Sequence, residues 1–135
     1  MQMSRSNQEK WLLMLIVLNI FVSLGHYVHN IVFLPEYHEP GWITPALIDS
    51  LWVVMTPLSG VGYVLFTKQQ FSLAFALLYG YCGLSLFVLG HYCITPFWTL
   101  SPVIHVIILS EAIAAAMLAG YTLRLQFLSK DQPAA

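Results

Sequence analysis

Four histidines stand inside long apolar stretches of the sequence, where ionisable side chains are rare and usually functional. They are His26, His29, His91 and His105. Neutral imidazole nitrogens are common ligands of transition metals, and two histidines on facing helices can hold haem b. We therefore expect a transition-metal site built from these four residues, or a haem b site that uses His26 and His91.

Two acidic residues in the apolar stretches, Asp49 and Glu111, are candidate catalytic groups, because a carboxylate there can transfer protons. In a metal site, a carboxylate would complete a set of ligands of the kind that zinc, iron or copper use. The connecting segment 35–42 adds Glu36, His38 and Glu39, which could cap the same site.

A polar stripe in the first apolar stretch indicates which side of that helix faces inward. Asn19, Ser23, His26 and Asn30 are spaced 4, 3 and 4 residues apart, which places them on one helix face. Such side chains also serve as plain hydrogen-bonding groups between membrane helices. A binding site is favoured because the histidines gather on one side of the predicted membrane, whereas purely structural hydrogen bonds have no reason to do so.

The composition excludes an ordinary soluble protein. Of the 135 residues, 59% are hydrophobic and 8% are charged, against about 25% charged in a typical soluble domain. Four stretches are long and apolar enough to cross a membrane as helices: 11–34, 43–66, 71–94 and 101–125. The short connections between them favour antiparallel neighbours. The predicted fold is an all-α integral membrane protein, a four-transmembrane-helix up-down bundle.

The lysines and arginines predict the orientation of the chain in the membrane. Arg5, Lys10, Lys68, Arg124 and Lys130 avoid the connections 35–42 and 95–100. By the positive-inside rule, both termini are cytoplasmic and those two connections face the other side. We predict a cytoplasmic tail over 1–10, a single membrane domain over 11–125 and a second cytoplasmic tail over 126–135, in a bacterial inner membrane.

Several short motifs occur twice in the same order, which predicts a tandem duplication of a helical hairpin, 11–66 and 71–125. Leu-Gly-His-Tyr occurs at 24–27 and 89–92, a Ser/Thr-Pro pair at 44–45 and 101–102, and Gly-Tyr-x-Leu at 62–65 and 120–123. In this alignment His26 matches His91. A ligand held between the two halves would lie between these histidines.

These features predict a small membrane protein with a histidine-rich metal or haem site near the non-cytoplasmic face. Its role would be electron transfer, metal handling or oxidation of a lipid-soluble substrate. A structural or assembly subunit of a membrane complex is an alternative, since four packed helices are all that it requires. The expected partners are the lipid bilayer, a hydrophobic small molecule, complex subunits or a second copy of the chain. A net charge of −1 offers no basic surface for nucleic acid.

The first half of the chain resembles the family of the emopamil-binding protein and the sigma-2 receptor. The resemblance lies in Trp11-Leu12-Leu13, Leu34-Pro35, Glu39-Pro40-Gly41-Trp42 and the acidic Asp49. Members of that family are small helical membrane proteins that bind sterols and amine drugs, and one is a sterol isomerase. The resemblance implies a metal-free enzyme or binder for a sterol-like or other hydrophobic small molecule.

Overall fold

A computed structural model describes residues 4–130 of the chain, and these residues form helices and turns with no strand among them. The α-helices are α1 (Arg5–Val32), α2 (Pro45–Thr67), α3 (Phe71–Leu86), α4 (His91–Ile94) and α5 (Pro102–Lys130). Three 3₁₀ turns complete the chain: Leu34–Tyr37, Phe87–Gly90 and Phe97–Thr99. The all-α prediction is confirmed for the described residues.

Four helical segments are long and apolar enough to cross a membrane, as the sequence predicts. They are Arg5–Val32, Pro45–Thr67, Phe71–Ile94 and Pro102–Ser129. The helices at the two ends are longer than predicted, since α1 begins inside the expected tail 1–10 and α5 continues into the expected tail 126–135. Residues 1–3 and 131–135 of those tails lie outside the described residues.

The two Ser/Thr-Pro pairs found in the sequence each begin a helix. The hydroxyl of Thr44 accepts a hydrogen bond from the Leu47 amide at 3.3 Å, and that of Ser101 accepts one from the Ile104 amide at 3.4 Å. The proline of each pair, Pro45 or Pro102, occupies the first helical position, where its missing N–H costs nothing.

The four long helices pack in a ring, in the order α1, α2, α3, α5 and back to α1. Near one end, the Arg5 guanidinium donates to the carbonyl of Thr67 at 3.1 Å. Further along the same pair of helices, the indole N–H of Trp52 donates to the hydroxyl of Ser23 at 2.9 Å.

The interior of the bundle differs between its two halves. One half is filled by an apolar core of buried side chains that includes Leu12, Leu15, Phe66, Phe75, Leu78, Leu118 and Leu125. The other half holds the buried His26, Asn30 and Glu111. We call this half, with the connections 33–44 and 95–101, the histidine end.

The two Leu-Gly-His-Tyr motifs have different local structures. The copy at 24–27 is regular α-helix within α1, whereas the copy at 89–92 begins in the turn Phe87–Gly90 and ends in α4. The tandem duplication therefore gains no support from local structure and stays a prediction.

Gly62 sets the close approach of α2 and α3 beside the apolar core. A Cβ atom at this position would lie 2.9 Å from Cγ of Leu78 and 3.3 Å from the carbonyl oxygen of Ala74. At Gly60, two residues earlier and on another side of α2, a Cβ atom would meet nothing within 4 Å. Of these two glycines of α2, only Gly62 is therefore required by the packing against α3.

We expect Gly62→Ala to destabilise the protein relative to Gly60→Ala. Both changes gain about 1 kcal/mol of helix propensity, but overpacking at Gly62 costs about 1 to 3 kcal/mol. Unfolding in mixed detergent micelles with increasing dodecyl sulfate, followed by circular dichroism, measures the difference. Equal stability of the two variants would contradict this account of the α2–α3 contact.

Candidate functional site

The polar stripe of α1 faces the interior of the bundle, as its spacing predicts. Asn19, Ser23, His26 and Asn30 are all buried. The stripe lies in the part of α1 that packs against α2 and α5. It supplies the first part of a polar cluster at the histidine end.

His26 and Glu111 form the most deeply buried charged pair of the described chain. Nδ1 of His26 lies 2.6 Å from Oε2 of Glu111, and the two side chains are 6% and 1% exposed. The atoms are within ion-pair distance, but the ring N–H is not directed at the oxygen, so this is not an aligned hydrogen bond. An imidazole and a carboxylate that lie in contact can be buried with no net charge, which reduces the cost of burial.

Ser85 of α3 connects this pair to α1. Its hydroxyl lies 3.2 Å from Oε1 of Glu111 and 3.1 Å from Oδ1 of Asn19, and its single proton is shared between these two acceptors. Three helices thus contribute to one buried polar cluster.

His91 and Glu39 form a second pair nearer the surface. Nδ1 of His91 lies 2.7 Å from Oε1 of Glu39, and the side chains are 13% and 2% exposed. Nδ2 of Asn30 donates to the same carboxylate oxygen at 3.2 Å and lies 3.5 Å from Nε2 of His91. Glu39 therefore binds the connection 33–44 to both α1 and α4.

The two pairs touch through their imidazole rings. The ring centroids of His26 and His91 are 5.3 Å apart, in an edge-to-face arrangement. Tyr37 packs on both rings, with centroids 6.2 Å from His26 and 5.2 Å from His91. Its hydroxyl lies 2.9 Å from Nδ1 of His29, and its carbonyl accepts a hydrogen bond from the Thr95 hydroxyl at 2.8 Å. Tyr37 thus fixes the connection 33–44 over the histidines.

Burial raises the pKa of Tyr37 above its ordinary value, and the nearby carboxylates of Glu39, Glu111 and Glu36 raise this pKa further. A raised pKa keeps the phenol protonated and neutral. The hydroxyl can then donate to or accept from His29 without adding charge to the cluster.

The other predicted site residues lie outside this cluster. His29 is half-buried beside Tyr37. His105 forms a separate group, in which its Nδ1 lies 3.0 Å from the Tyr92 hydroxyl, its ring stacks on Tyr92, and Phe97 packs against it at a tilt. Asp49 is exposed on α2. Of the four predicted histidine ligands, the structure brings together only His26 and His91.

The described side chains do not provide the donors that the metal hypothesis needs. Among residues 4–130, no three His, Cys, Asp or Glu side chains are grouped so that they could hold one metal ion. Haem held between two imidazoles requires each ring to face one side of the macrocycle. The rings of His26 and His91 touch each other and leave no such gap. This arrangement does not fit haem b, and the metal hypothesis stays a prediction without a ligand set.

A cavity of about 450 Å³ lies beside the two histidine pairs. This is within the range of about 300 to 1,000 Å³ that is usual for small-molecule sites. Its polar side is formed by His26, Asn30, Glu39, Ser85, His91 and Glu111. Its apolar walls come mainly from α2 and from the end of α3, including Leu47, Ile48, Leu51, Val54, Met55, Leu84, Phe87 and Val88.

The cavity reaches the surface of the bundle beside α2, the turn Phe87–Gly90 and Trp42, which is 67% exposed. Val54 and Phe87 line it, yet they are 70% and 75% exposed on the outside of the bundle. For a chain that crosses a membrane, this opening faces lipid.

Several buried polar atoms of residues that line the cavity lack a hydrogen-bond partner within the described part of the chain. They are Nε2 of His26, Oε2 of Glu111, Oε2 of Glu39 and Oδ1 of Asn30, of which the Glu111 oxygen has only its ion-pair contact. A buried polar atom without a partner costs about 1 to 3 kcal/mol. A polar group of a ligand would remove this cost if these side chains turned toward the cavity, since the atoms are covered in this structure.

Sequence reasoning missed two members of the cluster, Ser85 and Tyr37. A serine in an apolar helix is common and carries no distinctive signal, and Tyr37 lies in a connection whose path depends on tertiary contacts. Glu36, His38 and Glu39 were expected to cap the site; Glu39 lies beside His91, whereas Glu36 and His38 are exposed.

Comparison of the chain with protein-family models, curated proteins and solved structures finds no match. The resemblance of the first half to the emopamil-binding protein family therefore rests on the short motifs quoted above.

We expect a double-mutant cycle on His26→Leu and Glu111→Leu to give a coupling free energy of about 1 kcal/mol or more. Each single change leaves one buried ionisable group without its partner, whereas the double change removes both. Unfolding by dodecyl sulfate in mixed micelles, followed by circular dichroism, measures the three variants.

The matched control pairs His29→Leu with Glu111→Leu, since His29 contacts Tyr37 instead of Glu111. We expect these two changes to add within about 0.5 kcal/mol. If the His26 cycle were also additive, the two side chains would not form the pair described here.

Proposed function

We propose that this protein binds a mostly apolar small molecule in the cavity at the histidine end, without a metal ion, and that His26 and Glu111 can exchange a proton with the polar group of that molecule. One observation carries the proposal: an apolar cavity of about 450 Å³ ends at buried imidazole and carboxylate groups with unpartnered polar atoms.

The His26–Glu111 pair can act as an acid or a base. Glu111 lies 2.6 Å from Nδ1 of His26, so its carboxylate is close enough to exchange a proton with this nitrogen. The other ring nitrogen, Nε2, has no hydrogen-bond partner among the described residues. An enzyme acting on such a molecule would use Nε2 for proton transfer, with Glu111 holding the balancing charge.

The charges around the cavity select against anionic molecules. Two carboxylates line the cavity, and among residues 4–130 no lysine or arginine does. The side chain of Arg5 is at the opposite half of the bundle, where it contacts the end of α2. A ligand with a neutral or basic polar group therefore suits the cavity better than a fatty acid.

We also infer that the four helices form an up-down bundle in a bacterial inner membrane, with both termini in the cytoplasm. Contacts between α1 and α2 support antiparallel packing, because Arg5 meets Thr67 while Ser23 meets Trp52. The absence of lysine and arginine from the connections 35–42 and 95–100 supports the orientation.

We expect a photoreactive cholesterol analogue that bears a diazirine to label wild-type protein on peptides covering the cavity walls. Unlabelled cholesterol in excess should reduce this labelling. Leu51→Trp, which fills the cavity from α2, should reduce it severalfold, because the added ring occupies the volume that the ligand needs. Mass spectrometry of the labelled peptides measures the effect.

The control for this experiment is Val53→Trp, on the same helix and similarly exposed but outside the cavity lining. We expect its labelling to match the wild type. Equal labelling of the two tryptophan variants would overturn the proposed binding site. Iron, copper or zinc near one atom per chain in protein purified without a His tag would favour the metal hypothesis instead.

We expect Cys93 to react with a membrane-impermeant maleimide added to intact spheroplasts. Cys93 is exposed at the histidine end, whereas Cys82 is buried. In a Cys93→Ser background, Gln70→Cys at the opposite end should react only after the membrane is broken. The reverse pattern of labelling would contradict the inferred orientation.

A further inference from the structure

A 3₁₀ turn interrupts the third apolar stretch immediately before His91. The turn covers Phe87–Gly90 and separates α3 from α4. Its backbone angles are those of a 3₁₀ helix: Phe87 has φ −58° and ψ −17°, and Gly90 has φ −59° and ψ −24°. There is no proline within the turn to impose this geometry.

The turn changes the direction in which His91 projects. In a regular α-helix each residue adds about 100° of rotation, so six steps would leave His91 about 120° away from the face of Ser85. In a 3₁₀ helix each residue adds about 120°, and four of the six steps pass through the turn. The angle between the directions of His91 and Ser85 is then reduced to about 40°. The 3₁₀ turn thus rotates His91 by about 80° onto the face that carries Ser85.

The burial pattern supports this rotation. In a continuous α-helix, Leu89 and Tyr92 would lie on the same face as Ser85, because they follow it by four and seven residues. Instead, Val88 is 5% exposed and Leu89 is 40% exposed. His91 contacts Glu39, and Tyr92 contacts His105 of α5. Val88 and His91, three and six residues after Ser85, therefore lie toward the interior, and Tyr92 packs against the buried cluster that includes Ile104 and Ile108 of α5.

Four residues of 3₁₀ helix and five residues of α-helix are nearly equivalent in length and rotation. Four 3₁₀ residues rise about 8 Å and turn about 480°. Five α-helical residues rise about 7.5 Å and turn about 500°. The turn Phe87–Gly90 therefore covers, with one residue fewer, the path of a continuous α-helix that would bring His91 to the same place.

We infer that the turn Phe87–Gly90 is a positioning element that brings His91 into the candidate site. Its four residues give the chain nearly the same rise and rotation as five α-helical residues would. Without the tightened turn, the imidazole would leave Glu39 and the edge of the His26 ring. The importance of this placement for ligand binding rests on the proposed function, but the placement itself does not.

A series of length changes at one point tests this inference. The variants are deletion of Leu89, insertion of one alanine between Val88 and Leu89, and insertion of two alanines at the same point. Reaction with diethyl pyrocarbonate, measured residue by residue by mass spectrometry, reports the exposure of His91. His38, which is exposed in the connection 33–44, serves as the reference within each molecule.

We expect the one-alanine insertion to leave the reactivity of His91 near the wild-type value, because five residues in α-helical geometry restore its position. The deletion and the two-alanine insertion should raise that reactivity about tenfold relative to His38, since both rotate the ring out of the site. General loss of structure would instead raise the reactivity of His26 and His29 together with that of His91.

The inference is overturned if the one-alanine insertion exposes His91 as much as the other two variants do. It is also overturned if the deletion leaves His91 protected. Sterol photolabelling of the wild type, together with the three variants, separates this result from the proposed function. If the length series behaves as expected but the wild type is not labelled, the turn still positions His91 and the proposed binding role is rejected.

Discussion

The contact between His26 and Glu111 is the interaction on which the arrangement of the histidine end depends. An ionised side chain without a partner is costly in an apolar bundle, and these two groups meet from α1 and α5. The rest of the cluster follows from that contact. Ser85 reaches the carboxylate from α3, and the ring of His91 packs against the ring of His26.

The two halves of the bundle divide the tasks of stability and binding. The apolar core holds α2 and α3 close together at Gly62, where no other residue fits without a shift of Leu78. Beyond this contact, at the histidine end, the cavity lies between the same two helices. The remaining sides of that cavity come from α1, α5 and the connection 33–44, which supply His26, Glu111 and Glu39.

The sequence predicted the features that follow from periodicity and from local capping. It predicted four apolar helices, the inward stripe of α1, helix starts at the Ser/Thr-Pro pairs, and the neighbourhood of His26 and His91. It did not predict the turn Phe87–Gly90, because a change from α to 3₁₀ geometry alters rotation without altering hydrophobicity. The turn also sets the direction of Tyr92 in α4, so the position of His105 beside Tyr92 could not be predicted either. The path of the connection 33–44 depends on where Tyr37 packs, which is a tertiary contact.

Val54 and Phe87 are exposed at the opening of the cavity. If these positions face lipid, the occupancy of the cavity depends on the concentration of the ligand in the membrane and not in water. A molecule that enters from between lipid tails competes with lipid and not with water. In a membrane, occupancy would therefore follow the mole fraction of the molecule in the bilayer. A compound scarcely soluble in water could then fill the cavity at a modest intrinsic affinity.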